Sequence, residues 1–478
     1  MKIGFISLGC PKNLVDGEVM LGIAQAAGHE ITRDTAGADV VVVNTCAFID
    51  RAKEESVDAI LEMAALKKDG ARLVVTGCLA ERYRDELKRE IPEIDAVLGT
   101  GEVPRILDAL DGGGGMTDGG IGATTPSAVV PVTFHRPRAH GADPSSIIRH
   151  PSSAIRHRPL PTYLYDAATP RLQTTPRHFA YVKVAEGCDY TCAFCIIPTL
   201  RGQYRSRTRE SIVTEARALA ARGVRELLLI SQDTTFFGID RGERGALAGL
   251  LRELNAIDGL TWIRLLYPYP TTITDDVLGA MAECEKVCRY VDLPLQHASA
   301  GVLKRMRRPG NRRTYDALLA RIRDRVPGVT LRTTFIVGFP GETTQDFAEL
   351  EGFIEDTRFD HVGVFTYSHE EGTRAYAGKD DVSSSEKRRR RDRLMARQQR
   401  IVSEAQQGRI GSEVRVLVDG ASPEHELILQ GRLEGQAPEI DPVVLLTDCD
   451  PSSFGPGDLV RARIVAAQGY DVIAAPVP

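Results

Sequence analysis

Short apolar runs without polar alternation, each followed by a stretch of helical period, fill the first hundred positions of this chain and return after residue 179. In the first series the runs are residues 3–7, 40–44, 73–76 and 96–98, and the helix-like stretches are 14–27, 50–67, 80–91 and 103–110. A strand that is apolar on both faces has no side for water. It belongs in a parallel sheet covered by helices above and below. Residues 1–110 therefore read as a doubly wound α/β domain. In the second series, strand-like runs at 180–185, 226–230, 262–266, 290–293, 331–337 and 361–366 alternate with helical patterns, giving six β/α units over 179–384.

Between them, residues 111–178 lose all periodicity. A run of four glycines at 112–115, scattered Pro and Ser, and a near-repeat over 145–157 bury too little apolar surface to offset chain entropy, so the stretch reads as a flexible, basic linker. Lys387-Arg388-Arg389-Arg390-Arg391 opens a polar connector helix over 385–407, read as an exposed face with phosphate contact as its alternative. From 408 to 478 short Val-rich strands between turns suggest a small OB-like β-barrel.

The chain has 478 residues, long enough for several domains, and carries a net charge of −5, which gives no general affinity for nucleic acid. No run of 18 apolar residues is present, and the opening lacks a signal-peptide layout, so no membrane partner and a cytoplasmic location are expected. Nine cysteines, an odd number, argue for reduced thiols held for metal rather than a disulfide framework.

The spacing Cys188-x3-Cys192-x2-Cys195 presents three thiolates within one short loop. Such a loop suits three irons of a 4Fe-4S cube and leaves the fourth iron without a protein ligand, free to bind substrate. Structural zinc is the rival, but it takes four ligands, usually in two Cys pairs, and no second pair or His partner follows. On these residues the segment resembles the radical S-adenosylmethionine (SAM) superfamily. The resemblance implies a partial (β/α)6 barrel over 179–384, SAM chelated by the open iron, and Phe194 against the adenine; a plain core aromatic is the alternative for Phe194.

Cys10, Cys46 and Cys78 each sit just past a predicted strand of the first series. In open α/β sheets that edge is where ligands bind, and residues distant in sequence converge there, so a second three-thiolate cluster site is expected. Each thiol alone would read as a core residue. Cys284 and Cys288, spaced i, i+4 on a predicted helix, and Cys449 are read as packing residues. His297 tempts as a base, but no catalytic acid or base is assigned.

An α/β domain with three cysteines, a radical SAM barrel and a terminal β-barrel together are similar to the methylthiotransferases, whose last module is the TRAM domain. Ser7-Leu8-Gly9-Cys10-Pro11-Lys12-Asn13, Gln232-Asp233-Thr234-Thr235 and Leu293-Pro294-Leu295-Gln296-His297 resemble the branch that modifies an aspartate β-carbon of the small-subunit ribosomal protein numbered twelve. This implies two 4Fe-4S clusters, SAM, a reductant such as flavodoxin or ferredoxin, and a single-copy enzyme. Residues 408–478 hold five arginines against eleven acids, a balance that repels phosphate and favours a basic protein. The rivals are a tRNA adenosine methylthiotransferase and a non-catalytic, ribosome-associated iron-sulfur protein.

Overall fold

The computed structural model describes residues 1–112, 159–425 and 427–477. Most of the expected linker, 113–158, including its glycine run past Gly112 and its Ser-rich near-repeat, lies outside the described residues.

Strands β1 (Lys2–Ser7), β2 (Glu30–Thr32), β3 (Val40–Thr45), β4 (Arg72–Gly77) and β5 (Ala96–Leu98) form one parallel sheet in the order β2-β1-β3-β4-β5. Alternate residues of each strand face opposite cores. Val40 and Val42 pack with Leu14, Val15 and Val19 of the helix Pro11–Ala26 and with Ile106. Val41 and Val43 pack with Val57 and Ile60 of the helix Asp50–Leu66 and Leu87 of the helix Cys78–Glu90. The helix Pro11–Ala26 is buried almost all round, as its apolar residues on every side require, because its outer face meets the barrel.

In the middle of the chain, β6 (Phe179–Lys183), β9 (Glu226–Ile230) and β10 (Trp262–Leu265) form one parallel triplet, and β11 (Tyr290–Gln296), β12 (Thr330–Val337) and β13 (His361–Thr366) a second. A bridge between Ile263 and Val287 joins them into six strands, while β7 (Ala185–Glu186) and β8 (Arg205–Ser206) make a short ribbon after β6. Outward residues such as Val182, Leu229, Ile263, Leu293 and Phe335 build the largest core with the surrounding helices. The inner face is mixed: Tyr181, Leu228, Ile230, Trp262 and Tyr290 pack there with the first domain, and charged residues lie among them. Lys183, Arg264 and Asp292 lie there fully buried, and Arg332 pairs with Asp292 at 3.0 Å.

The last module is a closed barrel in the order β14 (Glu413–Ala421), β15 (Leu429–Arg432), β16 (Val444–Leu446), β18 (Asp471–Pro476), β17 (Leu459–Gln468). Its acidic surplus is partly internal. Asp419 pairs with Arg432, Asp441 holds Arg332 and the Tyr290 hydroxyl, and Glu413 bridges Arg461 and Arg463. The net charge of the segment therefore overstates its negative surface.

Two readings of the sequence change. Residues 159–178 are packed, not flexible: Tyr165, Leu172 and His178 are buried, and Arg171 meets Glu18 and Glu215 at 2.5 Å each. A local scan finds no strand or helix period there, because the packing partners lie far away in the chain. Cys284 and Cys288 do not share a helix. The helix Asp275–Glu283 ends with Cys284 extended at its cap, and both thiols pack separately in the core.

Candidate metal centres

Because β1, β3 and β4 are neighbours in register, with Ser7 opposite Asn44 and Asn44 opposite Thr76, their carboxyl ends deliver Cys10, Cys46 and Cys78 to one edge. Side-chain bonds lock the three ends together. The Asn13 amide donates to the Leu8 and Thr45 carbonyls, the Asn44 amide to the Asn13 carbonyl, and the Thr45 hydroxyl to the Thr76 carbonyl. Ser56 clasps the Cys46 backbone, its hydroxyl accepting from the amide and donating to the carbonyl. Cys10 caps one helix and Cys78 begins another, so both lie at helix N-termini. A cavity of 260 Å³ opens at Cys10, walled by Gly9, Glu55 and, from the terminal barrel, Glu439.

Cys188, Cys192 and Cys195 follow β6 and β7 and line a second cavity, of 430 Å³, with Tyr190, Pro198 and Gln203. The loop is fixed from several sides. The Cys188 amide donates to the Gly202 carbonyl and the Ala193 amide to the Met306 carbonyl. The Tyr190 ring stacks on Tyr269 at 4.0 Å, and its hydroxyl donates to Asp233. The Arg308 guanidinium lies 4.1 Å from the Tyr269 ring centre and 4.0 Å from the Cys192 sulfur. Phe194 is half-buried against the apolar group of Ala193, Val302 and Met306, beside the loop.

All six cysteines are free thiols. Burial pushes Cys46 and Cys195 up to about 12 and Cys188 up to about 11, so these sulfurs ionise at neutral pH only where bound cations compensate them. Among the described residues no three His, Cys, Asp or Glu donors close on a single metal ion. Soft sulfur donors in threes, outside disulfides, fit an iron-sulfur cluster.

The triads open on separate cavities joined by a buried charged seam. Arg201 is 2.6 Å from Asp16 and 3.2 Å from Glu186; Lys183 is 2.5 Å from both carboxylates. Burial works against the Glu186 carboxylate, but Lys183 and Arg201 outweigh it and hold it well below the usual range. The Gln232 amide donates to Glu186 as well. Burial lowers the Lys12 ammonium to about 8, and its nitrogen sits 3.0 Å above the Tyr267 ring.

Sequence reading placed Gln232 and Asp233 at the mouth, and both reach the loop's surroundings. It missed Asp16, Lys183, Glu186, Arg201 and Arg308. Glu186, two positions before Cys188, and Arg201, six past Cys195, carried a signal in their nearness to the loop. His297 is fully buried, its Nδ1 accepting from the Ser299 amide, and is no base facing a cavity.

Comparison with known proteins agrees with this architecture. Residues 2–99 match uncharacterized protein family UPF0004, 182–354 the radical SAM superfamily, and 410–477 the TRAM domain. Among solved structures, a radical SAM methyltransferase, TsrM, from Kitasatospora setae shares the fold at 17% identity and TM-score 0.50, over 76% of this chain and 72% of that one. The proteins named ribosomal protein uS12 methylthiotransferase RimO from Solibacter usitatus and Koribacter versatilis are 48% and 46% identical, each over 99% of this chain and 94% and 96% of their own. Identity at this level from end to end, across all three modules, shows that the chain belongs to the ribosomal protein uS12 methylthiotransferase RimO family.

Proposed function

We propose that Cys188, Cys192 and Cys195 hold the SAM-cleaving 4Fe-4S cluster and that Cys10, Cys46 and Cys78 hold an auxiliary one. As a radical SAM methylthiotransferase, the enzyme places a methylthio group on an aspartate β-carbon of ribosomal protein uS12, using SAM and 4Fe-4S clusters. When bound, these groups supply the one-electron and sulfur-transfer chemistry that an unactivated C–H bond demands.

The chain's own residues bind, orient and exclude water. The sheet register supports the auxiliary site most directly, since three thiols remote in sequence converge only because β1, β3 and β4 adjoin. The Tyr190–Asp233–Tyr269 brace keeps the second loop in place, and Phe194, packed beside it on Val302 and Met306, is the residue assigned to the adenine. No catalytic acid or base is assigned, and His297 is sealed in the core. Glu55 and Glu439 at the Cys10 opening give a negative rim suited to a basic protein. The reductant is a small electron carrier such as flavodoxin or ferredoxin. A single copy working in the cytoplasm suffices, because one chain carries both triads.

The test is anaerobic reconstitution with iron and sulfide, then incubation with SAM and reductant beside either uS12 or tRNA, with products weighed. Methylthiolated uS12 and unchanged tRNA are expected. Modified tRNA, or clusters without SAM cleavage, would overturn the reading in favour of its two rivals.

A further inference from the structure

We infer that Arg201 sets the electron affinity of the auxiliary cluster by donating a hydrogen bond to one of its ligating sulfurs; the inference rests on the assignment of Cys10, Cys46 and Cys78 above. Arg201 is 2% exposed, and its Nη2 lies 3.4 Å from the Cys78 sulfur and 3.3 Å from the Asn13 side-chain oxygen. Its Nη1 takes Asp16 and Glu186. The planar fork thus presents one nitrogen to sulfur and the other to carboxylate, a division that a single ammonium cannot reproduce.

The guanidinium arrives from the other triad. Arg201 ends the helix Ile197–Arg201, which begins two residues after Cys195, and Ile196 and Leu200 of the same stretch are buried in the core of the first domain. The Thr100 hydroxyl donates to the Leu200 carbonyl, fixing that docking. One rigid turn therefore connects the SAM-cluster loop to a sulfur of the auxiliary site.

Hydrogen bonds to ligating sulfur and local charge set iron-sulfur potentials. An N–H donor draws electron density from the thiolate and favours the reduced, more negative cluster. Asp16 and Glu186 are shared with Lys183, so the guanidinium's charge and its directed N–H both act on Cys78 in the same direction. At the other triad the nearest guanidinium, Arg308, stands further from its sulfur, at 4.0 Å. A purely structural role for Arg201, clamping Asp16 to the barrel, would act through the ion pair instead.

The full-length enzyme, reconstituted with both clusters, and its Arg201→Gln, Arg201→Lys and Asp16→Asn variants separate these roles in redox titrations followed by electron paramagnetic resonance. Arg201→Gln should lower the auxiliary potential so that the reduction equilibrium falls about tenfold, about 59 mV for one electron. Arg201→Lys should show part of that fall, whereas Asp16→Asn should not lower the auxiliary potential and the SAM cluster should stay in place in every variant. An unmoved auxiliary potential in Arg201→Gln, or an equal shift in Asp16→Asn, overturns the inference. Should Arg201→Gln fail to fold, Arg201→Lys decides by the same criterion. About one cluster per parent chain would remove the underlying assignment itself, and that is read from iron and sulfide content before any potential.

Discussion

Glu226 and Arg432 meet at 2.5 Å across the joint between the six-stranded sheet and the terminal barrel, with 0% and 1% of their surfaces exposed. Arg264 takes the other oxygen of Glu226, and Asp419 takes the far side of Arg432 while accepting from His178. Removing one member of such a network strands a buried charge, so Arg432→Met should destabilise the protein by about 3–5 kcal/mol. Urea unfolding measures this. The double variant Asp419→Asn with Arg432→Met should recover part of the loss, because Glu226 keeps Arg264 while the carboxylate left without a guanidinium is then neutral.

The two triads are expected to fail in different ways. Cys188→Ala should lose SAM cleavage and roughly half the iron while keeping the auxiliary cluster, since the register of β1, β3 and β4 positions Cys10, Cys46 and Cys78 without the Cys188 sulfur. Cys46→Ala should keep SAM cleavage and lose methylthio transfer. Iron content, 5′-deoxyadenosine release and the mass of uS12 check both. Full transfer by the Cys46 variant would sink the auxiliary site.

The fold was legible because its strands speak locally: the runs at Ala96–Leu98, Glu226–Ile230 and His361–Thr366 match the observed strands residue for residue. Strand β2 escaped, being three residues long and defined by its neighbour rather than by its own apolar content. At the site, spacing revealed the Cys188 loop, and repetition at strand ends revealed Cys10, Cys46 and Cys78. The charged seam was invisible, because Asp16, Lys183 and Arg201 are ordinary polar residues until the first domain and the barrel close on one another. The same holds for Arg171, whose two carboxylates come from helices on opposite sides of it.

His297 makes a pH-dependent contribution to stability. Burial lowers its pKa from 6.5 to about 3, so between those values the unfolded chain binds a proton that the folded chain refuses. Stability from this group is therefore complete above about pH 6.5 and is lost as pH falls toward 3, with a slope of up to about 1.4 kcal/mol per pH unit. Neighbouring Glu342, raised by burial, works in the opposite direction. Comparing urea midpoints of the parent and His297→Gln from pH 7.5 to 5 isolates the term. The variant's curve should be flatter on the acid side, and parallel curves would refute a neutral buried imidazole.

Two glycines should each control one cluster. Gly187 has φ +87°, and a methyl group there would overlap the Gln203 carbonyl oxygen, beside the Gly202 carbonyl that receives the Cys188 amide. Gly9 has φ +93°, and its added carbon would stand 2.8 Å from the Cys46 Cβ and 3.1 Å from its sulfur. Left-handed backbone at a residue with a side chain costs about 1–3 kcal/mol before any clash is counted. Gly187→Ala should therefore displace the Cys188 loop, abolish SAM cleavage and leave about half the iron, all of it at the auxiliary site. Gly9→Ala should do the reverse, sparing SAM cleavage while iron at the first domain is lost. Iron content and 5′-deoxyadenosine release on the two purified variants read both outcomes; if either substitution empties both sites equally, the cluster loops are not independently supported by their own backbone turns.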